Sequence, residues 1–422
     1  MRCFTLAAKP FRVIMPAGCG GKPASKNRMI TEFLNFAARL REKILSEGRV
    51  LRGPDLKGQN GDSCNSPLRD FNRLALELFA LQFKHNAAYR KICEARKLTP
   101  KVVEHWTQIP AVPTAAFKEL ELTCLAPGER TTVFHSSGTT EQKPSRHYHN
   151  AGSLAVYEAS LWSWFRLHFG TEGQLVFLTP SHPAAPHSSL VHMFDTVRRK
   201  FGLPESAFMG QVAKDGSWTL DFDALLPKLK VACDQATPLT LLGTAFSFVH
   251  LLDYLAENNL CFRLPKDSGV METGGYKNRS RAMPKAELHK LIKQRLGVSR
   301  VLCEYGMSEL NSQAYDSAIS IEVNDKSGHR RSRYSRHFHF PPWARVQIIS
   351  PETGREVTDG ETGLIRVFDL ANVFSVMAIQ TEDLGIRRDE NFELIGRAAL
   401  AEPRGCSLMT HSAIRIPQSA IK

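Results

Sequence analysis

Short apolar segments alternate with helical segments through the middle of the chain, and this alternation limits the possible folds more than any other feature. Residues 174–180 (QLVFLTP), 237–244 (TPLTLLGT) and 299–306 (SRVLCEYG) are apolar over the length of a strand. Residues 188–202 and 245–259, which follow the first two, have the pattern of helices. Buried strands separated by helices are typical of a largely parallel sheet. The pattern predicts an α/β fold in which ligands bind beyond the carboxyl ends of the strands.

Length and composition suit a protein with a full hydrophobic core. The chain has 422 residues, of which 42% are hydrophobic, enough for one large domain or two medium ones. Toward the C-terminus the long apolar segments give way to short strands and turns. We therefore expect a disordered tail at residues 1–28, an α/β core at 29–334, a β-rich subdomain at 335–397 and a short segment at 398–422, with the first clear helix beginning at Met29.

Composition also argues against several classes of protein. No apolar run approaches the ~20 residues of a membrane span. The net charge of +13 is spread along the chain without a nucleic-acid-binding motif, so we expect no nucleic-acid partner. The nine cysteines include no Cys-x-x-Cys pair, which indicates neither a zinc site nor a disulfide framework and favours a reducing, cytoplasmic location. The oligomeric state stays open.

A small, hydroxyl-rich loop follows the strand-like segment TTVFHSS and then turns basic. It contains Ser136, Ser137, Gly138, Thr139 and Thr140, and Lys143 comes shortly after. Hydroxyls and closely spaced backbone N–H groups can surround phosphate oxygens, while a cation neutralises their charge. The loop is not a Walker loop, because the second glycine before the lysine is missing. Taken alone it favours phosphate binding no more than a simple turn, since Ser and Thr are common in turns.

Four further short segments follow this loop along the chain. They are GGYKNRS (274–280), EYGMSEL (304–310), TEDLG (381–385) and LIGRAA (394–399). In this order the segments resemble the motifs of the adenylate-forming superfamily of acyl and aryl ligases, over about residues 70–408. The resemblance implies an adenylation domain that uses ATP to convert a carboxylate into an acyl-adenylate and then transfers the acyl group to a thiol.

The resemblance also implies a role for each motif residue. The β- and γ-phosphates of ATP would be held by Ser136, Ser137, Gly138, Thr139, Thr140 and Lys143. The adenine would be surrounded by Gly274, Gly275 and Tyr305, with Gly306, Met307 and Ser308 beside them. Glu309 would bind Mg²⁺, Asp383 the ribose hydroxyls, and Arg397 the ribose or a phosphate. Such a set suits the reaction, because carboxylate attack on the α-phosphate builds negative charge that Mg²⁺, N–H groups and cations stabilise.

The sequence departs from the superfamily pattern in two respects. Glu141 stands where the phosphate loop usually has a glycine, and the lysine and proline of that loop are in an unusual order. Only 25 residues follow Arg397, which is too few for the lid domain that supplies a catalytic lysine in typical members. We therefore expect the lid domain to be largely absent.

A cysteine near the C-terminus is the candidate acceptor of the acyl group. Cys406 lies in EPRGCSLMTHS, next to Gly405 and two residues after Arg404. A flexible glycine and a nearby cation favour a reactive thiolate, although a lone cysteine in a loose tail is more often inert. A short chain with such a cysteine resembles the LuxE-like acyl-protein synthetases, as do SHPAAPHSSLVHMFDTV (181–197), LLGTAFSFVHLLD (241–253) and HFPPWARV (339–346).

This second resemblance implies that a long-chain fatty acid is activated as acyl-AMP, that Cys406 accepts the acyl group, and that an acyl-reductase partner receives it. Two other hypotheses stay open. One is a phenylacetate-type ligase whose acceptor is coenzyme A, and the other is a non-catalytic relative that only binds nucleotide. Cys303 is a competing thiol, but its position in a buried strand predicts that it is inert.

Histidine and arginine clusters give weaker signals. His182, His187 and His192 could border the acyl pocket or lie in the core. Alternation places His337 and His339 on one face of a strand. Residues 330–336 (RRSRYSR) are expected to form a solvated basic loop. The more specific alternative is that they contact an acidic partner.

Overall fold

A mixed β-sheet forms the centre of the fold. In this computed structural model the described residues are 24–50, 70–136, 143–171, 173–274, 283–324 and 330–397. Their strands are β1 (Val112–Pro113), β2 (Thr132–His135), β3 (Arg146–His149), β4 (Gln174–Phe177), β5 (Gly210–Val212), β6 (Trp218–Leu220), β7 (Leu239–Thr244), β8 (Gly269–Thr273), β9 (Arg300–Tyr305), β10 (Ala314–Asn324), β11 (Arg330–His339), β12 (Ala344–Ile349), β13 (Thr362–Asp369), β14 (Ala378–Arg388) and β15 (Asn391–Arg397). The large sheet has the strand order β12-β13-β14-β15-β11-β10-β9-β8-β7-β4, and β1 pairs with β14. The pairs β2–β3 and β5–β6 form separate hairpins.

Helices precede or connect these strands. They are α1 (Ala24–Val50), α2 (Phe71–His85), α3 (Ala87–Ala95), α4 (Ala116–Glu119), α5 (Ala151–Phe169), α6 (Ser189–Phe201), α7 (Phe222–Asp234), α8 (Ala245–Glu257) and α9 (Lys285–Leu296). Local chemistry sets several of their ends. The side chain of Asn150 accepts a hydrogen bond from the Ser153 N–H at 2.9 Å and so caps the start of α5. Gly202 ends α6 with a φ of 68°, a conformation that favours glycine.

The parallel half of the sheet confirms the predicted fold class. Strands β4, β7, β8 and β9 are hydrogen-bonded side by side in parallel, so their carboxyl ends lie at one edge. The chain returns between β7 and β8 through α8 and between β8 and β9 through α9, as parallel pairing requires. Leu241 and Val270 are completely buried beneath these helices.

The antiparallel half continues the same sheet. Strand β10 pairs with β9 at only two positions, Ala314 opposite Tyr305 and Tyr315 opposite Glu304. From there β10, β11, β15, β14, β13 and β12 follow one another in antiparallel pairs. The boundary predicted at residue 335 falls inside β11, and the division of the chain into a core and a β-rich subdomain stays a prediction.

Several element boundaries differ from those expected. Helix α1 begins at Ala24, upstream of the Met29 start predicted. Helices α2 and α3 are separated only by Asn86, which is extended and whose side chain accepts a hydrogen bond from the Tyr89 N–H at 3.0 Å, which caps α3. The prediction of a loop at residues 330–336 is wrong, because these residues belong to β11 and pair with β10.

The N-terminal helices pack on the antiparallel half through a buried cluster. Phe33 and Phe36 of α1 and Phe79 of α2 share this cluster with Val367 of β13 and Phe374. Phe33 and Phe374 meet with ring centroids 5.2 Å apart.

Among the helices in the described part of the chain, none has the length and apolar character needed to cross a membrane.

A buried amide ties α2 to the turn between β13 and β14. Gln82 Nε2 donates to the carbonyls of Asn372 at 2.8 Å and Val373 at 3.2 Å. Its Oε1 accepts from the Met377 N–H at 3.1 Å. The side chain is completely buried. Since the Asn372 carbonyl also accepts from the Ser375 N–H at 3.3 Å, two backbone groups of this turn depend on the glutamine alone.

Replacing Gln82 with leucine should lower the free energy of unfolding by about 2 kcal/mol or more. Leucine fills a similar volume but leaves two buried backbone groups unpaired, the Val373 carbonyl and the Met377 N–H, and each such group costs about 1–3 kcal/mol. The matched control is Gln294→Leu, because Gln294 is exposed on α9 and a surface change of this kind costs about 0.5 kcal/mol or less. Urea unfolding of both variants checks the expectation. Equal unfolding midpoints for the two variants would contradict it.

Candidate active site

The ends of β8 and β9 bring two predicted adenine-binding residues together. These strands are parallel neighbours, with Thr273 opposite Glu304, so Gly274 and Tyr305 come next at the same edge of the sheet. The Thr273 hydroxyl donates to the Glu304 carboxylate and links the two strand ends. Gly274 has a φ of 69°, which few other residues adopt readily. Gly275 lies outside the described residues.

Tyr305 also contacts the predicted ribose-binding carboxylate. Its hydroxyl donates to Asp383 Oδ2 at 2.9 Å. Burial raises the pKa of Asp383 above its ordinary value, while the bond from Tyr305 and the charge of Arg397 oppose that rise. Burial and the nearby Asp383 charge raise the pKa of Tyr305 well above 10, so the phenol remains a donor at neutral pH. The two motifs, 78 residues apart in sequence, thus share one hydrogen bond.

Arg397 lies beside Asp383 in the β14–β15 ladder, where the two residues are paired. Its guanidinium contacts Glu382 Oε2 at 3.1 Å, and the arginine side chain is 75% exposed. Exposed ion pairs of this kind contribute little to stability. The arginine can therefore exchange Glu382 for an anionic ligand at small cost.

Glu309, the predicted metal ligand, is almost completely buried. Its Oε1 accepts from the Ser145 hydroxyl at 2.5 Å and its Oε2 from the Ser308 hydroxyl at 3.0 Å. Burial raises the pKa of Glu309, while these two hydrogen bonds oppose the rise. A buried carboxylate held by hydroxyls has the hard oxygen donors that Mg²⁺ prefers. The residues present therefore fit a divalent cation.

The β2–β3 hairpin carries the hydroxyl-rich loop and docks on the segment that contains Glu309. Ser136 Oγ accepts from the Ser145 N–H at 2.9 Å, which closes the base of the loop. His147 Nδ1 lies 2.8 Å from the Ser308 carbonyl. Because a carbonyl only accepts, Nδ1 must carry the proton. Burial lowers the pKa of His147 to about 4, so the imidazole is neutral at pH 7 and this bond persists.

Sequence reasoning missed Ser145 and His147, although a signal for them exists. In residues 145–149 the side chains of Ser145, His147 and His149 are buried, and those of Arg146 and Tyr148 are only partly buried. This alternation is the signature of a strand with one inner face. A period-two reading of SRHYH would have indicated that three polar side chains point inward.

Lys143 lies at the end of the same loop. Its Nζ is 3.2 Å from Glu119 Oε2, and both side chains are more than half exposed. Of the other predicted site residues, Ser137, Gly138, Thr139, Thr140 and Cys406 lie outside the described residues.

The segment between β9 and β10 is held by a buried carboxylate that sequence reasoning also missed. Asp369 accepts from the Asn311 N–H at 2.9 Å and from the Ser312 hydroxyl at 2.7 Å. Burial raises the pKa of Asp369 to about 6. At Gly306 a Cβ would lie 2.3 Å from Glu304 Oε1, so a larger residue there would require the Glu304 carboxylate to shift. Met307 packs against the neighbouring hydrophobic cluster.

The histidines predicted to border the acyl pocket contact the β2–β3 hairpin or one another. His187 Nδ1 lies 3.1 Å from the Val133 carbonyl, and its ring stacks on His135 with centroids 4.8 Å apart. His192 is buried on α6, with Nε2 3.3 Å from Glu158 Oε1. Its ring lies 5.5 Å from that of His182. An acyl pocket beside these histidines stays a prediction.

One group of buried side chains in the described residues has the composition of a metal site. Cys303 Sγ and His289 Nε2 lie 3.2 and 3.4 Å from Glu272 Oε2. However, Arg336 Nη1 lies 2.9 Å from His289 Nδ1. A guanidinium only donates, so Nδ1 accepts and Nε2 carries the proton, which leaves it unable to bind a metal. Lys285, 3.3 Å from Glu272, already balances the carboxylate charge.

The Cys303 thiol is buried within this charge network. Burial and the Glu272 charge raise its pKa well above the ordinary value. A buried, protonated thiol is a poor nucleophile. The buried position of Cys303 therefore agrees with the prediction that its thiol is inert.

Comparison with solved structures supports the fold. The crystal structure of 2-hydroxyisobutyryl-CoA ligase in complex with 2-HIB-AMP and CoA aligns over 83% of this chain and 82% of its own, with a TM-score of 0.53 and 14% sequence identity. The same ligase in the postadenylation state aligns over 83% and 74%, with a TM-score of 0.55. At this identity the likeness concerns the fold alone.

Comparison with known sequences identifies relatives over most of the chain. A long-chain-fatty-acid–luciferin-component ligase of Aliivibrio fischeri is 23% identical over 365 residues, which cover 82% of this chain and 88% of the relative. The ligase with the same description from Vibrio harveyi is 24% identical over 355 residues, covering 80% and 86%. The family model described as acyl-protein synthetase, LuxE, matches residues 62–414. This match confirms the resemblance, and the chain belongs to the LuxE acyl-protein synthetase family.

Proposed function

We propose that this protein uses ATP and Mg²⁺ to activate a long-chain fatty acid as acyl-AMP, transfers the acyl group to the Cys406 thiol and passes it to a reductase partner. The observation that carries the proposal is the convergence of the separate motifs. One hydrogen bond joins Tyr305 to Asp383, and another joins Ser145, at the base of the phosphate loop, to Glu309. Family membership and the names of the two relatives support the fatty-acid substrate.

In the first step the fatty-acid carboxylate attacks the α-phosphorus of ATP. The new bond joins an acyl oxygen to phosphorus, and the bond to the β-phosphate oxygen breaks, so pyrophosphate leaves. Asp383 would hold the ribose through its free carboxylate oxygen, because Tyr305 already occupies Oδ2. The Tyr305 ring lies among Phe338, Phe340 and Phe392, with centroids 5.4–6.3 Å away, so its position is fixed before nucleotide binds.

The charged side chains around the site would stabilise the negative charge of the phosphates. Lys143 and Arg397 are held by the exposed carboxylates of Glu119 and Glu382, and such pairs exchange readily for a phosphate. Glu309 would hold Mg²⁺, which supplies Lewis-acid stabilisation of the phosphate oxygens. Ser145 and Ser308 orient the Glu309 carboxylate toward this role.

The second step needs a thiol that can reach the adenylate. Strand β15 ends at Arg397, directly opposite Asp383, so the chain leaves the sheet beside the proposed ribose site. Cys406 follows nine residues later, and nine extended residues span at most about 30 Å. The thiolate attacks the acyl carbon, a thioester forms, and AMP leaves with the electron pair of the broken C–O bond.

Replacing Asp383 with alanine should weaken ATP binding about tenfold to a hundredfold. The change removes a charged acceptor for ribose hydroxyls, a bond class worth roughly 1.5–3 kcal/mol. Asp234→Ala is the control, because Asp234 is exposed at the end of α7. Calorimetric titration with ATP measures both variants. Unchanged affinity in a folded Asp383→Ala protein would refute the ribose assignment.

Glu309→Gln should abolish acyl-adenylate formation while the protein stays folded. An amide oxygen is a poorer ligand for a hard cation than a carboxylate, and removal of a buried charge should not destabilise the fold. The measurement is pyrophosphate exchange as a function of Mg²⁺ concentration, with Glu287→Gln on the exposed face of α9 as control. If Glu309→Gln shows the parent's rate and Mg²⁺ dependence, the metal assignment is wrong.

Cys406→Ser should still form acyl-AMP but should not acquire acyl label in a hydroxylamine-sensitive bond. Serine is a much weaker nucleophile than a thiolate at neutral pH. Cys261→Ser is the matched control, because Cys261 is an exposed free cysteine. Mass spectrometry of the acylated parent would locate the thioester. Acyl mass on another peptide, or free acyl-CoA without labelled protein, would favour the coenzyme A ligase hypothesis instead.

A further inference from the structure

An open cleft of about 330 Å³ lies between the segment that follows α3 and strand β13. Arg96 and Arg366 line it, together with the Gln108 side chain and the apolar Leu98 and Ile109. The lining includes no carboxylate and none of the residues assigned to the nucleotide site. The cleft is therefore a separate, positively charged surface.

Neither guanidinium in the cleft has a carboxylate partner among the residues that the structure describes. Arg366 Nε donates to the side-chain oxygen of Gln380 at 2.9 Å. Arg96 Nη1 donates to the Ala111 carbonyl at 2.8 Å. These neutral acceptors orient the two arginines without balancing their charges. Other guanidinium N–H groups remain available for a ligand, since an arginine carries five of them.

The acidic group whose charge acts on Arg366 is bound elsewhere. The Glu356 charge raises the pKa of Arg366, but the Glu356 carboxylate accepts from Gln347 Nε2 at 3.0 Å and lies 3.9 Å from Arg387. Burial and the neighbouring Arg96 charge lower the pKa of Arg366 to about 10. A partly buried cation beside a second cation opposes folding unless something supplies the opposite charge. Local arrangements that conflict with stability in this way are expected at functional sites.

We propose that Arg96 and Arg366 form a binding site for a phosphate group. Two guanidinium groups that bond only to neutral acceptors match a phosphate, which carries a charge of about −1.5 to −2 near pH 7. The planar donor fork of arginine suits phosphate oxygens. Gln108 Oε1 accepts from the N–H groups of Glu104 and His105, so its amide nitrogen is left as a further donor. Leu98 and Ile109 provide apolar walls for the organic part of a phosphate monoester.

The test is calorimetric titration of the full-length protein with inorganic phosphate in a phosphate-free buffer. Arg96→Gln and Arg366→Gln should each weaken binding about tenfold or more, because each removes charge-assisted hydrogen bonds. Arg355→Gln is the matched control, since Arg355 is an exposed arginine outside the cleft. The component of phosphate binding that is lost in Arg366→Gln should persist in Lys143→Gln, because Lys143 belongs to the proposed nucleotide site and not to the cleft.

Glycerol 3-phosphate distinguishes the two sources of the phosphate group. Tighter binding than inorganic phosphate, lost in Arg366→Gln, supports a phosphorylated metabolite that uses the apolar walls. Equal binding of both probes, also lost in Arg366→Gln, supports recognition of phosphate alone. The proposal is overturned if the parent binds neither probe, if Arg366→Gln binds phosphate like the parent, or if Lys143→Gln alone abolishes binding.

Thermal unfolding without phosphate separates a binding role from a structural one. If the arginines serve a ligand, removal of the Arg366 charge should leave the unfolding midpoint unchanged or raise it, because the repulsion from Arg96 is relieved. A lowered midpoint combined with unchanged phosphate affinity would make Arg366 a structural residue and overturn the proposal.

Discussion

The buried carboxylate of Asp369 holds the segment on which the candidate site depends. It accepts hydrogen bonds from the backbone N–H groups of Asn311 and Ala371 and from the hydroxyl of Ser312. A carboxylate removed from water is costly unless donors surround it, and burial still leaves its pKa near 6. Residues 306–313 make no strand ladder in the large sheet. These side-chain bonds, rather than strand pairing, therefore decide where Glu309 lies.

The hairpin that carries the hydroxyl-rich loop takes its position from the same segment. Ser145 and His147 bond to Ser308 and Glu309, which lie more than 160 residues further along the chain. On the opposite side, Asn372 Nδ2 donates to the Glu309 carbonyl at 2.8 Å. The proposed metal ligand is thus held between the hairpin and the turn after β13. A shift of either the hairpin or this turn would therefore move the Glu309 carboxylate.

Sequence reasoning recovered the parts of the fold that are encoded locally. The strands β4, β7 and β9 are continuous apolar runs, and burial on both faces leaves that signature. Strand β10 and the arginine-rich first part of β11 were not predicted, because their ten-pair ladder joins a sequence of mixed polarity to one rich in arginine. Ser145, His147 and Asp369 were missed for a related reason. Their partners are distant in sequence, so only the folded chain brings them together.

The contact between Tyr305 and Asp383 has a geometric consequence for the sheet. Strands β9 and β14 are four steps apart in the strand order, and neighbouring strands are about 4.8 Å apart. A flat sheet would separate the two strands by about 19 Å, yet the side chains meet at 2.9 Å. The sheet must therefore curl between them. Between these two strands, β11 and β15 are joined through the single pair Phe338–Phe392. The proposed nucleotide site then lies on the concave side of a curved sheet, and its width depends on that curvature.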